Sequence, residues 1–329
     1  MKRNRRSTLR SAALIGAVIG LSISAAHPGD ALAADKIRVG KAQGAAWTFL
    51  PVDAGVEQGL FAKNGIEVEI INLAGDAKVQ QALAADSIEI GLGSGPGMAF
   101  AAHGGVAIGV AAFAGAPRNI SATVLTDAPY KTVADLKGKK FSVSTAGSLS
   151  EWLVKALAIK EGWGPDGATT VPLGAIASSV AALRMKQVDA VMLATEAGFA
   201  LEAKKEGRIL VGMENYAPDF ITHVVFAPRA LVEKNPALIE RFLKPFFASI
   251  AWVKTHKAET AALAKKVIGM EPEVANRVYD AEVAMFLDDG RFDPKAVAVL
   301  KQSYLDMGTL KEKPSDDQLF TTRFVPVKY

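Results

Sequence analysis

Gly91-Leu92-Gly93-Ser94-Gly95-Pro96-Gly97 is the stretch around which the rest of the chain is read. Ile88-Glu89-Ile90 before it has the character of a short strand, and Met98-Ala99-Phe100-Ala101-Ala102 after it begins a helix. Four glycines in seven residues let the backbone turn sharply and approach another group with no Cβ in between. A glycine-rich strand-to-helix turn points free backbone N–H groups outward, where they favour an anionic or polar ligand group. A tight loop that binds nothing is the competing reading.

Around this stretch the pattern predicts alternating strands and helices. Strands are expected at Ile37–Val39, Ile66–Ile70, Ile88–Ile90 and Ala107–Phe113, and helices at Asp53–Lys63 and Ala77–Ala85. Glu67 and Glu69 alternate with apolar residues, as in a half-buried strand. The β-α-β order predicts a parallel, doubly wound α/β unit, whose ligands sit beyond the carboxyl ends of the strands. Small-residue loops fall at those ends: Gly44–Trp47, Gly93–Gly97 and Gly115–Arg118.

The pattern then begins again. Phe141–Val143 is a strand, Ser144-Thr145-Ala146-Gly147-Ser148 a Ser/Gly-rich turn, and Glu151–Lys160 a helix. Further strands are expected at Ser121–Thr126, Thr169–Leu173, Ala190–Leu193, Ile209–Gly212 and Thr222–Ala227. From Pro228 onward the periodicity is helical, and these helices are expected to pack on the first unit.

Composition removes several functions. Residues 1–33 carry five of the Lys and Arg residues against Asp30 alone, so the rest of the chain is electrically balanced. The basic pI therefore points to no nucleic-acid partner. Lys2 to Arg10, the apolar run Ala12–Ala26 and the small-x-small site Ala31-Leu32-Ala33 read as an export signal, with the mature chain starting at Ala34. Asn4-Arg5-Arg6-Ser7-Thr8-Leu9-Arg10 resembles a twin-arginine signal with Thr8 in place of the usual phenylalanine, so both the Tat and the general Sec route stay open. The chain has no cysteine, which excludes a disulfide, a thiolate nucleophile and a lipoprotein anchor. A soluble periplasmic protein is the expectation. His103, His223 and His256 stand far apart with no carboxylate at ligand spacing, so no metal site is expected.

Several segments together resemble periplasmic substrate-binding proteins of ABC importers, of the nitrate/sulfonate/taurine and thiamine-precursor type. They are Gly55–Ile70, Ala82–Gly97, the Asp135–Lys139 turn, Ser144–Ser148 with its helix, and Ala182–Leu193, in that order over about residues 36–310. The resemblance implies a two-lobed α/β fold of the type II binding-protein kind. Two crossing strands, near Ser121–Thr126 and Thr222–Ala227, form its hinge, and its C-terminal third is helical. Lobe one would be residues 34–122 and 224–329, and lobe two 123–223. It further implies no catalysis and no cofactor: a monomer captures a small organic solute, anionic and sulfonate- or carboxylate-like, and delivers it to a membrane permease with its ATPase.

The expected binding residues follow the loops. Gly93, Ser94 and Gly95 form the jaw of lobe one. Thr145, Ala146, Gly147 and Ser148 form the opposing jaw at a helix N-terminus, where hydroxyls and free N–H groups suit an anion and simple capping is the alternative. The resemblance adds Trp47 as a ligand-facing aromatic, against packing on its own lobe. Arg118 would neutralise an anion if it faced the cleft, against solvation at the surface. Gly174, Thr195 and Glu196 complete the set; a buried Glu196 would call for an amine or hydroxyl and so for an organic ligand of mixed polarity. An exported enzyme of similar fold and a sensor partner are the alternatives. Ser94 lacks the Gly-x-Ser-x-Gly spacing of a hydrolase, and the alternating glycines lack the Gly-x-Gly-x-x-Gly spacing of a dinucleotide loop.

Overall fold

A computed structural model describes residues 34–329; the expected export signal lies outside the described residues. Ten strands form two sheets. β1 (Asp35–Lys41), β2 (Ile66–Asn72), β3 (Ile90–Ser94), β4 (Ala107–Ala114) and β10 (His223–Pro228) make the first, in the order β2-β1-β3-β10-β4. β5 (Ile120–Leu125), β6 (Lys140–Val143), β7 (Thr169–Pro172), β8 (Ala190–Ala194) and β9 (Gly207–Gly212) make the second, in the order β7-β6-β8-β5-β9. The two sheets repeat one topology.

Each sheet is mixed rather than wholly parallel, which corrects the expectation. β1 pairs parallel with β2 and β3, whereas β10 inserts antiparallel between β3 and β4. β5 likewise runs antiparallel between β8 and β9. The inserted strand is in each case the one that arrives from the other sheet. A chain crossing from one sheet to the other enters it against the direction of the βα units, so alternation alone cannot reveal its sense.

β3 contains the first half of the glycine-rich stretch, and this too differs from the expectation of a turn. Gly91 is paired on both edges, with β1 and with β10, and Gly93 is paired with β10. Their glycines make room beside the strand: a Cβ on Gly93 would stand 2.7 Å from the Asp76 Oδ1, and one on Gly91 would stand 2.5 Å from Val79. The turn proper is Gly95–Met98, and a Cβ on Gly95 would run into the Ile221 carbonyl oxygen. Close backbone approach, not a phosphate, requires that glycine.

The C-terminal helices do more than cover the first sheet. Helix Pro236–Thr255 packs on helix Leu50–Glu57, and its Phe242 and Phe246 stack within the first-sheet core. Helix Pro272–Glu282 instead packs on helix Thr195–Ala203, which follows β8 of the second sheet. Helix Pro294–Asp306 reaches helix Leu149–Lys160. Both sides of the molecule are thus tied together by helices that the sequence assigned to one.

Candidate functional site

The carboxyl ends of β1, β3, β6 and β8 face one another across a narrow cavity of about 50 Å³. From the first sheet it is lined by Gln43, Thr48, Phe49, Asp76, Ser94 and His223. Ser144, Leu149, Ser150, Ile176 and Ala194 line it from the second, and Asn119 from the crossing between them. No lysine or arginine is among the lining residues.

On the first side the polar groups are locked. Asp76 begins helix Asp76–Ala84, and its two oxygens accept the Ser94 N–H (2.6 Å) and the Ser94 hydroxyl (2.8 Å). Burial holds its carboxyl above the ordinary aspartate value, opposed by those two bonds. His223 lies in the cavity wall, stacked on Phe113 at 5.5 Å. Its Nδ1 is 3.2 Å from the Gly93 carbonyl oxygen and its Nε2 2.9 Å from the Asn119 amide nitrogen. Burial pushes the ring down to about 3, so it is neutral. A neutral ring beside a carbonyl must carry its proton on Nδ1 and therefore accept at Nε2. The Asn119 amide donates there, which leaves its carbonyl oxygen, buried and without a partner, as an acceptor at the cavity.

On the second side the groups are hydroxyls at the start of helix Leu149–Lys160. Ser150 Oγ lies 3.0 Å from the Ser144 N–H, 3.1 Å from Ser144 Oγ and 3.0 Å from Ser148 Oγ. Ser148 is the helix cap, accepting from the Glu151 N–H at 3.4 Å.

Of the residues expected from the sequence, Ser94 lines this cavity. Gly93 and Gly95 back it within the sheet and turn. Arg118 is exposed, and its side chain takes no part; the chain leaves β4 with Asn119 inward, so the next residue out faces water. Trp47 is fully buried against Phe286 (5.4 Å) and Tyr279 (6.0 Å) and does not reach the cavity. Ala146 is exposed, the Gly147 N–H donates to Glu151 (2.6 Å), and Thr145 packs where a Cβ on Gly75 would be. The Gly174 main-chain carbonyl accepts from the Gln43 side chain (2.9 Å), and the Thr195 N–H donates to the main-chain carbonyl of Asn119 (2.9 Å). Glu196 is buried away from the cavity lining, its Oε1 accepting the Trp47 N–H at 2.9 Å. Gly174 and Glu196 therefore join the two sides rather than line the cavity.

Asp76, Asn119 and His223 were missed as a set. Asp76 has one local signal, an acid in the first turn of a helix that follows a strand end. Asn119 and His223 have none, since their pairing is made by strands far apart in sequence.

The fold is shared by solved proteins of low identity. One is the alkanesulfonate-binding protein of Xanthomonas axonopodis pv. citri bound to MOPS (18% identity, 89% of this chain and 96% of that one, TM-score 0.72). The periplasmic aliphatic sulphonate-binding protein of Escherichia coli is similar (21%, 87% and 92%, TM-score 0.71). A desulfurization enzyme has the same fold more distantly (17%, 88% and 97%, TM-score 0.61). No curated protein matches the sequence significantly. The sequence profile described as NMT1/THI5 like matches residues 48–260, which hold the cavity-lining residues from Thr48 to His223, and the chain belongs to that family.

Proposed function

We propose that the protein is the solute-binding component of an ABC uptake system. It captures a small organic molecule between two lobes in the periplasm and presents it, as a monomer, to a permease with its ATPase. We take the lobes as residues 34–122 with 224–329, and 123–223; the strands expected as crossings, β5 and β10, lie within the sheets, and the segments that join the sheets, 115–119 and 213–222, directly precede them. Support comes from the family, from fold neighbours named as sulfonate-binding proteins, and above all from the cavity's position between the sheets. The cavity chemistry narrows the solute. Its first side offers acceptors, the Asp76 carboxylate and the Asn119 carbonyl, and calls for N–H or O–H donors. Its second side offers serine hydroxyls at a helix start and suits a carboxylate or sulfonate. A compact solute with a donor nitrogen at one end and an acid at the other fits both; a simple inorganic anion leaves the acceptors facing nothing. The absence of cysteine removes thiolate chemistry from the alternative of an enzyme of the same fold.

A thermal-shift panel of amino-sulfonates, amino-acids, plain sulfonates and aminopyrimidines tests this, because a ligand that binds only the folded state stabilises it by mass action. At a hundred times its dissociation constant the solute adds about 2.7 kcal/mol. Stabilisation by plain sulfonates equal to that by their amino derivatives would refute the donor end. No stabilisation by any compound would refute the solute class.

A further inference from the structure

Glu196 and Glu282 lie against each other between the two sides of the molecule. Glu196 belongs to helix Thr195–Ala203, which follows the second sheet; Glu282 ends helix Pro272–Glu282. Glu282 is fully buried and Glu196 is 6% exposed. Glu196 Oε2 and both Glu282 oxygens have no donor. Their two helices pack directly on each other, and the charge of Glu196 bears on Glu282. Two carboxylates cannot satisfy each other, but a carboxyl and a carboxylate can, through one proton.

No nearby cation does this work. Within the same two helices, Arg277 pairs with Glu202 at 2.8 Å and Asp280 with Lys257 at 2.6 Å. Arg208 of β9 donates to the Ala128 and Tyr130 carbonyls. Tyr279 donates to the Lys254 carbonyl at 2.8 Å. Lys204, Glu271 and Glu273 stand at the rim of the outer groove, which Glu196 also lines. Neither Glu282 nor Trp47 lines the main cavity or this groove.

We propose that Glu196 and Glu282 are a proton-linked latch between the lobes: closing them traps one proton between the two carboxyls, and opening releases it. Burial lifts Glu196 to about 7, and burial with the Glu196 charge holds Glu282 well above the ordinary range. Opened to water, both return to ordinary carboxyl values and lose the proton at neutral pH. The closed form therefore binds more protons, is favoured at low pH, and is lost as pH rises through about 7.

Small-angle scattering on the ligand-free protein between about pH 5 and 9 reads this without any solute, so failure of the solute proposal leaves it intact. One proton released on opening makes the open-to-closed ratio rise about tenfold per pH unit from the ordinary carboxyl range up to the raised closed-form value, above which it levels off. Glu282→Gln should keep the protein compact across the range, because its amide donates to Glu196 permanently. A wild type of constant dimensions would overturn the latch, and so would a folded Glu282→Gln that keeps the wild-type pH dependence. Should that variant not fold, infrared spectroscopy of the wild type decides. A protonated-carboxyl band that persists well above the ordinary carboxyl range in the wild type upholds the latch; its absence overturns it.

Discussion

On the first-sheet side of the cavity, Asp76, Asn119 and His223 are held by bonds that leave no rotational choice. On the second-sheet side, Ser144, Ser148 and Ser150 share hydroxyl protons whose directions can rearrange. The glycines differ in the same way. Gly93 and Gly95 exist because other atoms occupy the space of a side chain. Gly147 exists because its φ is +73°, with nothing closer than 3.8 Å to a Cβ. One jaw is defined by packing and the other by local helix geometry. In the proposed binding role, the packed jaw would discriminate between ligands, since its groups cannot turn to suit a wrong one, and the hydroxyl jaw would accept a range of acids.

The comparison breaks first at the glycines. Gly95→Ala drives a methyl into the Ile221 backbone, which cannot yield as a flexible side chain would, and should cost about 3 kcal/mol or more. Gly147→Ala carries only the left-handed conformation and should cost about 1 kcal/mol. Urea unfolding measures both, and equal losses would erase the distinction between the jaws.

Asp76→Asn comes next. It keeps the shape but places an amide where two donors from Ser94 arrive, and it removes the charge that would meet a donor nitrogen. Solute affinity should fall by about 2 kcal/mol in calorimetry. An unchanged affinity would mean that Asp76 only supports β3.

His223 sharpens the rigid side through pH. Its folded value of about 3 lies below the ordinary 6.5, so the unfolded chain binds a proton that the folded one refuses. Stability from this group is full above about pH 6.5 and falls towards pH 3, by about 1.4 kcal/mol per unit. Acid unfolding of His223→Gln should be shallower by one proton, and an identical slope would place the titration elsewhere.

The smallest effect belongs to the hydroxyl side. Ser148→Ala removes a helix cap and should lower stability by about 1 kcal/mol while leaving affinity nearly unchanged. A large loss of affinity would return Ser148 to the site.

Much of this was legible in the chain itself. Alternating periodicities and small-residue loops located the strands, the helices and the edge where the cavity lies, because each is written in contiguous residues. Ser94 and the Ser144–Ser148 turn were read from the same local signals. What escaped is what two distant segments make together. Arg118 and Asn119 are neighbours in sequence, yet the segment between β4 and β5 places one in water and the other in the cavity. Trp47 was a plausible ligand contact until helix Pro272–Glu282 came to cover it.

The amino-acid sequence by itself determined the two repeated α/β units, the helical C-terminal third, the lack of thiol chemistry and the glycine requirement near β3, since periodicity, composition and backbone freedom are local properties. Only the tertiary structure decided that β5 and β10 insert antiparallel, that His223 orients Asn119, and that Glu196 meets Glu282. Each of these depends on a hydrogen bond or a burial between segments far apart in the chain, and a sequence carries no distance between such segments until packing sets it.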